Sequence, residues 1–115
     1  QGVETSIPLY KTILNSEEYK NGQLSMVGVF VNGQQHGEWS EFYDNGSLYW
    51  KLEYTNGKKE DGLFRMYHKN GAIKSEVLYE NDRPASNWVY YDENGKKERI
   101  DFYEDGKFFY EKYFD

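Results

Sequence analysis

The stretch Asn32-Gly33-Gln34-Gln35-His36-Gly37-Glu38-Trp39-Ser40-Glu41-Phe42-Tyr43-Asp44-Asn45-Gly46-Ser47-Leu48 decides the fold. Two Asn-Gly pairs bracket a run that carries one tryptophan and an aromatic pair, and the arrangement recurs. Gly22, Gly46, Gly71 and Gly95 lie 24, 25 and 24 residues apart. A second ladder, Asn32-Gly33, Asn56-Gly57 and Asn81-Asp82, runs between them at spacings of 24 and 25. The aromatics keep step: Trp39 with Phe64 and Trp88, Phe42 with Tyr67 and Tyr91, and Phe30 with Tyr54, Tyr79 and Tyr103. Self-similarity at this period is the signature of a repeat architecture.

Asn-Gly between alternating apolar and polar residues is the strongest short-range hairpin signal. Both central residues of a type I′ turn need positive φ, which Asn and Gly tolerate best. Gly22, Gly33, Gly46, Gly57, Gly71 and Gly95 are therefore read as turn glycines of this type. The runs between them are rich in Tyr, Trp, Phe, Val and Ile and read as strands. No long segment carries a helical stripe. The fold class is all-β: an elongated, twisted antiparallel meander of repeated hairpins with about 24 residues per repeat and roughly eight to ten strands.

A two-residue turn fixes cross-strand partners. Around Asn45-Gly46 it pairs Tyr43 with Leu48, Glu41 with Trp50, and Trp39 with Leu52. Around Asn32-Gly33 it pairs Phe30 with Gln35 and Trp39 with Met26, so that Met26, Trp39 and Leu52 form one row. Around Asn70-Gly71 it pairs His68 with Ile73, Tyr67 with Lys74, Met66 with Ser75, Arg65 with Glu76, and Phe64 with Val77. One face comes out aromatic and aliphatic and the other charged, as in an antiparallel sheet with one wet face. Trp39 follows Gly33 by 6 residues, but Phe64 follows Gly57 by 7. A bulge near Lys58 to Asp61 is expected to restore parity.

The ends are less regular. Residues 1–18 are read as an N-terminal capping segment, with a strand over Ile7 to Leu14 and Pro8 favouring an edge. Residues 19–115 form the repeat domain. The segment Phe102-Tyr103-Glu104-Asp105-Gly106-Lys107-Phe108 resembles Phe42 to Leu48, yet its spacing from Gly95 places Gly106 in the other turn class. The register of the last hairpin stays open at this point.

Composition narrows the function. Of 115 residues 37% are hydrophobic and 19% aromatic, with 12 tyrosines, so burial is by large half-polar rings. The net charge of -6 argues against nucleic acid and against direct binding to anionic membranes. Cysteine is absent, which removes disulfides and thiol chemistry. The sequence leaves localisation open between cytoplasmic and exported after removal of a signal peptide before Gln1.

No catalytic constellation emerges. His36 and His68 are the only histidines, too few for a zinc site without further ligands. The acid pairs Glu17-Glu18, Glu60-Asp61 and Glu104-Asp105 are sequence neighbours. Neighbours on a strand point to opposite faces, which does not suit a glycosidase dyad. No Asn-Gly is followed by the Lys-Ser/Thr of a phosphate loop, and no Gly-x-Ser-x-Gly elbow occurs. No catalytic, metal or cofactor site is expected, and the chain reads as a non-enzyme. The aromatic stripe remains, with Trp39, Trp50, Phe64, Trp88 and Tyr90 as candidate interaction residues.

The motifs Asn32-Gly33-Gln34-Gln35-His36-Gly37-Glu38-Trp39 and Phe42 to Leu48 resemble the bacterial MORN-repeat variant. The second copy is Asn56-Gly57, Gly62-Leu63-Phe64, Tyr67, Asn70-Gly71 and Ile73; in the third, Asp82 replaces the turn glycine and Ser86 the glycine before Trp88. The likeness covers about residues 19 to 114. It implies a sheet of consecutive hairpins and a non-catalytic protein-interaction module, and members of this family are commonly labelled antitoxin components. The expected partner is therefore a protein, in that case a toxin, with self-association through a sheet edge or the aromatic face as a further expectation. The alternative is a carbohydrate- or cell-envelope-binding repeat protein that uses the aromatic face.

Overall fold

The computed structural model describes residues 12–115. Among them there is no helix. The strands are β1 (Thr12–Glu18), β2 (Leu24–Val31), β3 (Gln34–Phe42), β4 (Leu48–Thr55), β5 (Lys58–Lys59), β6 (Gly62–Tyr67), β7 (Ile73–Glu80), β8 (Arg83–Pro84), β9 (Trp88–Tyr91), β10 (Lys97–Glu104) and β11 (Lys107–Tyr113). All belong to one antiparallel sheet in chain order, with the short β5 and β8 pairing β4 and β7 off the main path. The molecule measures 68 × 41 × 16 Å, a slab one sheet thick. Of the expected N-terminal strand, Ile7 to Lys11 lie outside the described residues; from Thr12 the chain pairs with β2.

The turns fall into two classes, which corrects the assignment of all of them to type I′. Asn32-Gly33 and Asn56-Gly57 have φ of 52 and 81° and of 50 and 83°, as type I′ requires. Asn81-Asp82 at 53 and 64°, and Asp105-Gly106 at 53 and 78°, continue this ladder. In the other class only the glycine is left-handed: Gly22, Gly46, Gly71 and Gly95 have φ between 84 and 92°, while the preceding asparagines do not. Gly46 N–H donates to Tyr43 O at 3.0 Å and Tyr43 N–H to Ser47 O at 2.8 Å. That is a type I turn closed by a left-handed glycine, a three-residue loop with a bulge. The same bonds recur at Tyr19, His68 and Asp92.

The turn classes explain where the counted registers hold. Glu41 pairs Trp50 and Trp39 pairs Leu52 as expected, but Phe42 rather than Tyr43 meets Leu48. Phe64, Arg65 and Met66 pair Val77, Glu76 and Ser75 as expected, but Tyr67 meets Ile73, and His68 N–H bonds Ala72 O instead. The three-residue loop shifts the pairs nearest the turn by one, and a slip one pair further out restores the two-residue count.

A second irregularity recurs at mid-hairpin. Phe30 pairs Gln35, but Val27 pairs Ser40 and Met26 pairs Glu41, so two extra residues of β3 are taken up opposite Gly28. Met26 therefore does not face Trp39. The slip is even, so Trp39 keeps its face and comes to lie over Gly28, where an added Cβ would stand 2.0 Å from the indole. Between β4 and β6 the slip is three residues, from Thr55–Lys58 to Trp50–Met66, and the odd count matches the extra residue before Phe64. The break falls at Glu60-Asp61, inside the segment where a bulge is expected. A slip of two returns between β7 and the β8–β9 strand.

The core is a single line of side chains on one face. Trp39 is 3% exposed, Phe64 9% and Val77 1%. Trp39 donates its indole N–H to Val29 O at 3.1 Å and meets Phe30 and Tyr54 edge-on at 5.0 and 6.4 Å. A large half-polar ring can lie against its own sheet because its one donor reaches a backbone carbonyl that the slip leaves open.

Gly28→Ala should cost about 3 kcal/mol, at the upper end for overpacking, because the methyl group meets the indole. Gly22→Ala should cost only about 1 kcal/mol, the strain of a left-handed alanine in open space. Urea unfolding with unchanged slope measures both; equal losses would show that the ring does not rest on Gly28.

Candidate functional site

The aromatic face is the candidate site, and the structure divides its five predicted residues. Trp39 and Phe64 are buried in the core line and expose little of their rings. Trp50, Trp88 and Tyr90 are half-buried. Trp50 donates to Glu41 Oε1 at 2.6 Å. Trp88 stacks on Tyr90 at 6.1 Å and meets Phe64 and Tyr79 edge-on at 6.2 and 6.0 Å. Tyr103 continues the line from Trp88 to Phe108. Most ring faces on this side are thus turned against other rings. The Trp88 indole N–H lies buried with no hydrogen-bond partner, unlike that of Trp39.

Beside this line, Arg99 sits over the Tyr90 ring at 4.0 Å and within 6.0 Å of Tyr113, while its Nε is 3.0 Å from Asp101 Oδ1. Burial raises the Tyr90 hydroxyl above its ordinary pKa, with Arg99 partly offsetting it. A shallow groove of 570 Å³ opens here, lined by His68, Lys74, Tyr90, Tyr91, Glu98, Arg99, Tyr113 and Phe114.

The candidate residues read from the aromatic stripe did not include those of the C-terminal strand. β11 has a neighbour on one side only, and every residue of it is exposed. Phe108, Phe109, Tyr110 and Tyr113 are 55, 62, 50 and 64% exposed. The signal was in the sequence: three consecutive aromatics cannot all point to one face of a strand. The opposite face carries exposed ion pairs, Arg65–Glu76 at 2.6 Å and Lys51–Glu38 at 3.6 Å, of the kind that contribute little.

The three-residue turns form a second ordered edge. The amides of Asn21, Asn45 and Asn70 donate to the carbonyls of Asp44, Lys69 and Glu93 in the next repeat, at 3.0, 3.5 and 3.0 Å. Alongside them Tyr19 Oη donates to Phe42 O and Tyr43 Oη to Tyr67 O, both at 2.7 Å, and His68 Nε2 lies 2.7 Å from Tyr91 O. His68 thus occupies a tyrosine position of the repeat. In the fourth turn Asp92 stands there, and its Oδ1 accepts Asn94 N–H and Lys96 N–H at 2.8 and 2.9 Å. Among the described residues no group of His, Cys, Asp or Glu has metal-ligand spacing. No helix among the described residues is long and apolar enough to cross a membrane.

Consecutive hairpins joined edge to edge in one sheet, with the same backbone bonds at each three-residue turn, define a β-hairpin repeat protein, a class that presents an extended surface for binding. The sequence profile of the family described as MORN repeat variant matches residues 35–56, 60–81 and 87–105, more than half of the chain. The chain belongs to that family, a non-catalytic repeat module used for binding. The matched stretches begin just after successive type I′ turns, so the family unit and the structural unit coincide. No curated protein matches the chain significantly.

The Asp92 carboxyl is held below the ordinary carboxylate range, first by the Lys96 amide hydrogen bond. A depressed folded pKa gives stability that is complete above the unfolded value and is lost as pH falls through the folded one. Asp92→Asn, which keeps an acceptor but does not titrate, should therefore melt slightly lower than the parent at neutral pH and flatten the acid limb, the two profiles converging as pH falls through the folded carboxyl pKa. An identical acid limb would show that Asp92 is not tied to the turn amides.

Proposed function

We propose that this chain is a protein-docking module, an antitoxin-like component whose partner is a basic protein encoded beside it. One observation supports this above the others: β11 offers four aromatic side chains, half or more exposed, along a strand with one open edge. Edge strands are ordinarily protected by charge, proline or cover. Exposed aromatics at such an edge are what a partner strand or groove would bury, and aromatics dominate interface energetics. The -6 charge favours a basic partner and faster association at low salt. Sugar binding is less favoured, because Trp88 and Tyr90 already cover one another.

The test is co-purification with the product of the adjacent gene, repeated with Phe109→Lys and Tyr110→Lys. Both residues are exposed, so both variants should fold, with Phe109→Lys melting close to the parent and Tyr110→Lys somewhat lower because it loses its stack on Phe102 at 4.5 Å. Retention of one basic neighbouring product, lost in the variants and weakened by salt, is the expected result. Binding that survives both changes would move the docking surface away from β11. Sedimentation of the chain alone separates self-association through the same edge, and retention only on glycan columns would favour the envelope-binding reading.

A further inference from the structure

Four Asn-Gly pairs occupy the same three-residue turn. Asn-Gly is the dipeptide most open to intramolecular attack, since glycine brings no side chain to hinder its own backbone nitrogen. In all four turns that nitrogen is engaged alike: Gly22, Gly46, Gly71 and Gly95 N–H donate to Tyr19, Tyr43, His68 and Asp92 O at 2.9, 3.0, 2.9 and 3.0 Å. All four asparagines are exposed. The turns differ in what holds the asparagine side chain.

Asn21 is tied at both ends, with Oδ1 accepting Gln23 N–H at 2.9 Å and Nδ2 donating to Asp44 O. Asn45 Oδ1 accepts Ser47 N–H and Ser47 Oγ–H at 3.0 and 2.7 Å, with Nδ2 toward Lys69 O. Asn70 Oδ1 accepts Ala72 N–H at 3.0 Å, with Nδ2 on Glu93 O. Asn94 has neither tie among the described residues. Asp92 has taken the amide that an asparagine oxygen accepts in the other three turns, Lys96 N–H at 2.9 Å. No later turn offers a carbonyl to the Asn94 nitrogen, because the three-residue ladder stops at Gly95.

We propose that Asn94 is a site of spontaneous covalent modification, deamidating through its bond to Gly95 while the three tied asparagines stay intact. Hydroxide removes the Gly95 amide proton, and the nitrogen attacks Asn94 Cγ. The new C–N bond closes a succinimide as the Cγ–Nδ2 bond breaks, and the nitrogen leaves as ammonia after taking up a proton from water. Water then opens the ring at either carbonyl, leaving aspartate or isoaspartate. The net change is one water consumed and one ammonia released. Attack requires the side chain to rotate toward the glycine nitrogen. A tie at each end of the amide opposes that rotation, and of the four asparagines in this turn class Asn94 alone shows neither tie among the described residues.

The test ages the purified folded chain in mildly alkaline buffer and digests it at intervals. Each Asn-Gly peptide is then quantified by mass spectrometry and by enzymatic isoaspartate methylation. Conversion at Asn94 should run several-fold ahead of conversion at Asn21, Asn45 and Asn70. A parallel sample aged in concentrated urea measures the bias of the flanking residues, Glu93 and Lys96 included. There the advantage of Asn94 should collapse. A folded-state rate at Asn94 no faster than at any of the three tied residues overturns the proposal. So does an advantage that persists undiminished in urea, which would assign it to local sequence instead of the turn.

Discussion

Trp39 lying on Gly28 is the contact on which the rest of the sheet depends. A sheet one layer thick has no second layer to bury its apolar face, so a large ring must cover its own backbone. The ring cannot do so over an ordinary residue, since a Cβ at Gly28 would stand 2.0 Å from the indole. Nor can it do so in a regular ladder, which would place Met26 opposite. The two-residue slip between β2 and β3 meets both conditions. It is even, so the ring stays on the same face, and the indole N–H reaches Val29 O. The slips in the next two repeats match the spacing before Phe64 and Trp88, so the position of the ring fixes how each hairpin joins the last.

The two turn classes divide the labour. Type I′ turns take two positive-φ residues, and the backbone rather than an asparagine amide ties one to the next, as Gly57 N–H donates to Gln35 O at 2.9 Å. In three of the four three-residue turns the left-handed glycine frees an asparagine, whose amide then reaches the neighbouring turn. Tyr19, Tyr43 and His68 do the same for a carbonyl deeper in the strand. Each repeat is therefore bonded to the next through strand pairing, ring packing and one side-chain ladder. A chain built this way is stabilised by nearest-neighbour terms and has no central core.

That construction also determines what is left for binding. Rings in the middle of the sheet are used against one another, and the charged face carries solvated pairs. The C-terminal strand has a neighbour on one side only, so Phe108, Phe109, Tyr110 and Tyr113 stay exposed where their counterparts in the inner strands are covered. The Arg99–Tyr90 pair and the groove around it adjoin this strand, which places the cation and the exposed aromatics at one end of the molecule.

The repeat, the strand content and the meander were legible in the sequence, because a turn dipeptide with at least one positive-φ residue every dozen residues dictates that the chain reverses there whatever surrounds it. So was the parity correction near Lys58 to Asp61, which follows from counting alone. The division into two turn classes was not. Asn-Gly satisfies both type I′ and the three-residue loop, and only cross-strand hydrogen bonds choose between them. The burial of Trp39 and Phe64 was not legible either. The same aromatic stripe describes a core or a docking face until the slip of a neighbouring strand brings Gly28 beneath the indole. The sequence by itself determined where the chain turns and which residues share a face. The tertiary structure decided which rings are covered, which turn asparagines are tied to the next repeat and which edge is open, since each of these depends on what the neighbouring strand brings alongside.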